Sequence, residues 1–131
     1  MFAWNRRVKR NKRGLGALGE YYATQYLRRL GMTIVSSNWR CRIGELDLVV
    51  LDGNELVCVE VKSRSDSARA DEYLFATLTP AKKRRLRLLA EVFAAKRFGS
   101  KRWPPLRIDV IGVVIGADSS FRRLKHLRGV V

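Results

Sequence analysis

Glu45-Leu46-Asp47-Leu48-Val49-Val50-Leu51-Asp52-Gly53-Asn54-Glu55-Leu56-Val57-Cys58-Val59-Glu60-Val61-Lys62 is two apolar runs joined by a turn signal. Leu46–Leu51 and Leu56–Lys62 have the length and the β-branched content of strands. Asp52-Gly53-Asn54 between them is hairpin chemistry, so the two strands are antiparallel neighbours. Leu56 to Val61 is apolar on both faces, as in a central strand covered from both sides. Glu60 interrupts that run, and Lys62 follows on the same face because strand side chains repeat every two residues. Asp47 interrupts the first strand in the same way and shares a face with Glu45.

Ionised groups in such strands cost several kcal/mol unless a counter-charge or a metal compensates them. The hairpin allows Asp47 and Glu60 to occupy one face of adjacent strands. Two carboxylates held close repel, and a hard divalent cation relieves that repulsion. Oxygen ligands of this kind suit Mg²⁺, with Mn²⁺ as an alternative. A Glu60–Lys62 ion pair on that face would also be an adequate structural explanation of those two residues. A Glu-x-Lys triplet also arises by chance in about half of chains this long. The acid one hairpin earlier is what turns the pattern toward a site.

Outward from the hairpin, apolar residues from Gly14 to Leu30 recur at helical spacing and Gly31 supplies a stop. Glu20 falls on the flank of that stripe, with Gly16 and Gly19 clearing space beside it. Thr33-Ile34-Val35 opens a short strand. Ser63–Leu78 is polar and weakly periodic, which predicts a loop with one short turn. Thr79-Pro80 then starts a second helix, threonine as N-cap and proline at the first helical position, running to Phe98 before Gly99. Lys82 aligns with Leu86, Leu89 and Phe93 on the buried side, while Lys83, Arg84 and Arg87 form a solvated or phosphate-binding stripe. Leu106–Ile115 and Phe121–Leu127 are the last strands. The fold class is α/β, a central mixed sheet flanked by helices in the order α-β-β-β-α-β-β.

Charge narrows the partners. The 131 residues carry 27 Lys and Arg against 12 acids, a formal +15. A self-repelling surface of that size points to a polyanion, nucleic acid rather than a membrane, since no long apolar span or aromatic anchor is present. Residues 1–13 read as a basic arm, either solvated or phosphate-contacting, and 14–131 as one domain. Cys41, Cys58 and a single histidine leave no basis for a disulfide framework or a zinc site. The first residues lack the apolar segment of a secretory signal, so a cytoplasmic location is expected.

These stretches together resemble the bacterial YraN-type family of restriction-endonuclease-like proteins. The resemblance rests on Gly16-x-x-Gly19-Glu20, Asn38-Trp39-Arg40-Cys41-Arg42-x-Gly44-Glu45-Leu46-Asp47 and Val59-Glu60-Val61-Lys62-x-Arg64. Thr79-Pro80-x-Lys82, Arg107-Ile108-Asp109-Val110 and His126 continue it, so it spans Gly14 to Arg128. It implies a PD-(D/E)xK nuclease fold with Glu20, Asp47, Glu60 and Lys62 as the catalytic set. Leu46 stands where the signature has proline. On that basis Asp47, Glu60, the Val61 carbonyl and Glu20 would hold Mg²⁺, and Lys62 would orient or deprotonate the attacking water. Lys82 would stabilise the developing charge on the phosphate. Arg40, Arg64, Lys82, Lys83, Arg84 and Arg87 would contact nucleic acid, DNA in preference to RNA. A homodimer would suit a two-fold branched substrate. The competing expectation is a nucleic-acid-binding module without turnover. Asp109 and His126 read as structural.

Overall fold

A computed structural model describes residues 12–76, 78–100 and 102–131. The expected basic arm falls mostly on residues 1–11, outside the described residues. Among the described residues eight elements follow one another: α1 (Lys12–Arg29), β1 (Thr33–Cys41), β2 (Gly44–Asp52), β3 (Glu55–Ser65), α2 (Ala70–Phe75), α3 (Pro80–Phe98), β4 (Leu106–Ile115) and β5 (Phe121–Leu127). The short α2, where one turn was expected, is an addition to the order read from sequence. It was hard to see because six residues bury only Ala70 and Leu74, too few for a periodic signal.

The five strands form one mixed sheet in sequence order, β1-β2-β3-β4-β5. All neighbours are antiparallel except β3 and β4, which run parallel from Leu56↔Leu106 to Ser65↔Ile115. A parallel pair needs a long crossover, and α2 with α3 supplies it. The β2–β3 hairpin closes at Asp52↔Glu55, and Gly53 has φ +61, the conformation a type II′ turn needs at its first central residue. β1 extends to Cys41, well past Thr33-Ile34-Val35, because pairing with β2 carries the polar Ser36-Ser37 and then Trp39-Arg40-Cys41 along.

Side chains alternate between two apolar layers, as strand geometry requires. α1 covers one face, packing Leu18, Ala23 and Leu27 on Leu48, Val57, Val59 and Ile111. α3 covers the other, packing Leu86, Leu89 and Phe93 on Val49, Cys58 and Ile108. α2 joins α3 on that second face through Leu74 against Val114. A Cβ on Gly112 would meet Leu74 Cδ1 at 2.9 Å, so the missing side chain is what lets α2 sit down on β4. Cys58 is buried in the second layer, and burial pushes its thiol up to about 12, leaving it unreactive. Among the described residues, no helix is long and apolar enough to cross a membrane.

Behind the sheet, a polar network ties the ends of four strands together. Asp109 is fully buried. It accepts from Arg107 Nε at 2.9 Å, His126 Nε2 at 2.8 Å and the Gly129 N–H at 3.0 Å. Burial alone would push Asp109 up, but the bonds from His126, Arg107 and Gly129 overrule it and hold the carboxyl down at about 2. Arg107 also reaches Asp52 at 2.9 Å and Glu55 at 2.8 Å, clamping the hairpin turn to β4. These contacts bind Asp109 and His126 into the network that joins the strand ends.

Candidate active site

The anomalous acids gather where β2 and β3 part. Ladder pairing between these strands begins at Asp52↔Glu55 and stops at Leu48↔Val59. Beyond it, the Val61 N–H donates to Asp47 Oδ2 at 2.9 Å, so a side-chain carboxylate replaces the missing backbone partner. Leu46 packs in the α3 layer and Leu48 in the α1 layer. Strict two-residue alternation therefore fails at Asp47. The expectation that Asp47 and Glu60 share one face is corrected: Asp47 stands in the opening between the strands, and Glu60 lies toward α3.

Glu60 is 7% exposed. Its Oε2 pairs with Lys62 Nζ at 3.1 Å and Lys82 Nζ at 3.3 Å. Lys82 is aimed there by the start of α3, where Thr79 Oγ1 accepts from the Lys82 N–H at 3.2 Å and fixes the first turn. Burial raises Asp47 first, and the charge of Glu60 adds to it. The Val61 N–H opposes both, Glu20 and Glu45 push it up again, and the group ends at about 7. Glu20 is raised too, by burial first, against a hydrogen bond from Asn38, with Glu45 and Glu60 adding repulsion. Four carboxylates thus act on one another across the opening.

Gly19 explains how Glu20 reaches this point. A Cβ there would lie 1.8 Å from Ser63 Oγ, so only glycine lets α1 approach β3 so closely. Gly16, expected to clear space as well, lines the cleft, but a Cβ on it would meet nothing within 4 Å. Asn38 was not singled out as a site residue. It sits in β1 at φ +54, a left-handed conformation asparagine tolerates better than most residues. Its side chain thereby meets Glu20.

The cleft in front of the cluster has a volume of about 550 Å³. Glu20, Asp47, Val61, Lys62 and Arg64 line it, with Ser63, Ser65, Ser67 and Tyr73 along the far wall. Arg64 bonds the Ser63 carbonyl at 2.9 Å. Of the other basic residues expected to meet nucleic acid, Arg40 pairs with Glu45 at 3.0 Å and Arg87 with Glu91 at 3.3 Å. Lys83, Arg84 and Arg87 lie on the α3 flank and do not line the cleft.

The donor set fits a hard divalent cation in its chemistry: crowded oxygen ligands, a carboxyl raised by burial and then by like charges, and hydroxyls nearby. Among the described residues, no three Asp, Glu, His or Cys side chains already converge as a ligand shell. Glu60 is turned to its lysines instead, so capture of a cation requires it to exchange that pairing.

Fold and site together define an α/β domain whose mixed sheet opens at its central hairpin onto a carboxylate–lysine cleft. The family model described as "Uncharacterised protein family UPF0102" matches residues 19–113. A UPF0102 protein of Mycolicibacterium vanbaalenii is 42% identical over 116 residues, covering 88% of this chain and 92% of its own. A UPF0102 protein of Mycobacterium tuberculosis is 43% identical over 120 residues, covering 88% and 91%, and one of Mycolicibacterium gilvum 43% over 119 residues, covering 89% and 93%. The chain belongs to the UPF0102 (YraN) family.

Proposed function

We propose that this protein is a divalent-metal-dependent nuclease of restriction-endonuclease-like fold that hydrolyses phosphodiester bonds in DNA. The observation that carries this reading is Asp47, wedged in the strand opening and raised to about 7 by burial and the Glu60, Glu20 and Glu45 carboxylates. A carboxyl crowded in that way is poised to exchange its proton for a cation.

Asp47, Glu60 and the Val61 carbonyl would hold the ion, with Glu20 at its margin. A bound Mg²⁺ or Mn²⁺ supplies Lewis-acid polarisation of the phosphate and a more acidic water. Lys62, freed from Glu60, orients the attacking water and accepts or steadies its proton. Lys82, at the same carboxylate, is placed to offset charge developing on the phosphate oxygens. Arg64 on the cleft wall and the net charge of +15 favour a polyanionic substrate.

A second reading has its own observation. Glu60 Oε2 is already satisfied by two ammonium groups, an arrangement that serves a binding module without turnover. Incubation with Mg²⁺ or Mn²⁺ and branched, single-stranded and duplex substrates separates the two. Cleavage lost in Asp47→Asn and Lys62→Ala supports the nuclease. Binding without cleavage on every substrate supports the module, and cleavage indifferent to both substitutions removes the proposed site.

A further inference from the structure

A second concavity, about 660 Å³ in volume, runs between α1 and β5. Tyr21, Tyr22 and Phe121 form a row along it, Tyr21 to Tyr22 at 5.4 Å edge-on and Tyr22 to Phe121 at 5.4 Å tilted. The inner rings are pinned. Tyr22 Oη donates to the Ser119 carbonyl at 2.9 Å. Tyr26 Oη pairs with His126 Nδ1 at 2.9 Å, and His126 is itself held by Asp109. The outer rings are open to solvent, Tyr21 by 49% and Phe121 by 45%.

Arginines edge the same groove. Arg29 is exposed, with no carboxylate at ion-pair distance among the described residues. Arg123 reaches Asp71 at 3.0 Å and Asp66 at 3.3 Å, while Arg122 reaches Asp118 at 3.5 Å. Those carboxylates hold the two guanidiniums in place and lower their pull on an anion, so stacking must carry much of any affinity here. Asp66 lies between Ser65 and Ser67, which line the acidic cleft. Asp66 thus joins the Ser65–Ser67 segment of the cleft to Arg123 of the groove, and the two linings have no described residue in common.

We propose that this groove binds an unpaired nucleic-acid strand, bases stacking on Tyr21 and Phe121 and phosphates meeting Arg29 and Arg122. Flat, pre-positioned rings beside guanidiniums are the chemistry that holds single strands without reading sequence. A second copy of this chain fits less well, because it brings another +15 to an arginine-edged surface. The link to the cleft, which makes the substrate one with a single-stranded segment beside the cut, rests on the nuclease reading. The stacking does not.

The test is fluorescence anisotropy of labelled oligo(dT) and of a short duplex with the full chain in EDTA, so that turnover plays no part. Tyr21→Ala and Phe121→Ala each weaken oligo(dT) binding about tenfold, since one stacked base is worth about 1–3 kcal/mol, and change duplex binding by less than about twofold. Arg29→Glu, at an exposed position that leaves the rings intact, weakens oligo(dT) as well. Equal loss on both ligands, oligo(dT) affinity unchanged by either ring, or a dimer-to-monomer shift without single-strand loss would each overturn the proposal. Failure to cleave any substrate would leave it standing and remove only the nuclease.

Discussion

Replacing Asp47 by asparagine should stabilise the metal-free protein, a result opposite to most substitutions of a buried polar residue. The asparagine oxygen can still accept from the Val61 N–H, but the charge that Glu60, Glu20 and Glu45 repel is gone. The carboxyl moves from its ordinary 3.8 to about 7 on folding. A gap of about 3 at about 1.36 kcal/mol per pH unit gives an upper value of about 4 kcal/mol. Partial exposure and shared protonation within the cluster reduce that to about 2 kcal/mol. Because the folded-state value is the higher one, folding takes up a proton between pH 4 and 7, so wild-type stability falls as pH rises through that window. Below about pH 4 both forms are neutral and the variant has no advantage. Above about pH 7 the advantage is complete, worth about 8 °C in Tm for a domain of this size. Thermal unfolding followed by circular dichroism in EDTA from pH 4 to 8.5 measures it. A Tm difference that does not change with pH, or a variant less stable at pH 8, would refute the electrostatic reading of the cleft.

Mg²⁺ should raise the Tm of the wild type at pH 8 and not that of Asp47→Asn. Titration calorimetry should show its affinity rising from pH 6 to 8 as the proton on Asp47 becomes easier to displace. Asp109→Ala should cost about 3 kcal/mol in urea unfolding, because it leaves Arg107 Nε, His126 Nε2 and the Gly129 N–H facing a void, while Asp52 and Glu55 still hold the other end of Arg107. The wild type should lose the Asp109 contribution only as pH falls from about 4 toward 2, because that carboxyl is held down at about 2. Gly19→Ala should destabilise by about 1–3 kcal/mol through its clash with Ser63. Ser63 Oγ is buried with no hydrogen-bond partner among the described residues, so Ser63→Ala should be near neutral alone and recover part of the loss in the double variant.

Elements marked by local chemistry were legible from sequence. Thr79-Pro80 and Gly99 bounded α3 as read, and the strand-like segment Leu106–Ile115 matched β4. Glu60 and Lys82 were readable because each breaks a buried pattern, and they meet. The placement of Asp47 was not readable, since period-two counting assumes an unbroken ladder and the ladder ends at Leu48. Asn38 and Ser63 were missed for a related reason: they matter through the approach of α1 to β1 and β3, a distance no residue spacing encodes. Gly19 was the available clue, and Gly16, its equal in sequence, proved to have no such contact. The Arg107 clamp joins residues 52, 55 and 109, and only the tertiary fold brings those together.

The measurement that bears most directly on the proposed activity is single-turnover cleavage of a labelled DNA with Mg²⁺, comparing wild type with Lys62→Ala while binding is followed separately. Metal-dependent hydrolysis should fall by about 100-fold or more in the variant with substrate affinity nearly unchanged, since Lys62 acts on the water and proton. Equal rates in wild type and variant, or hydrolysis that persists in EDTA, would contradict a metal-dependent site at the β2–β3 opening.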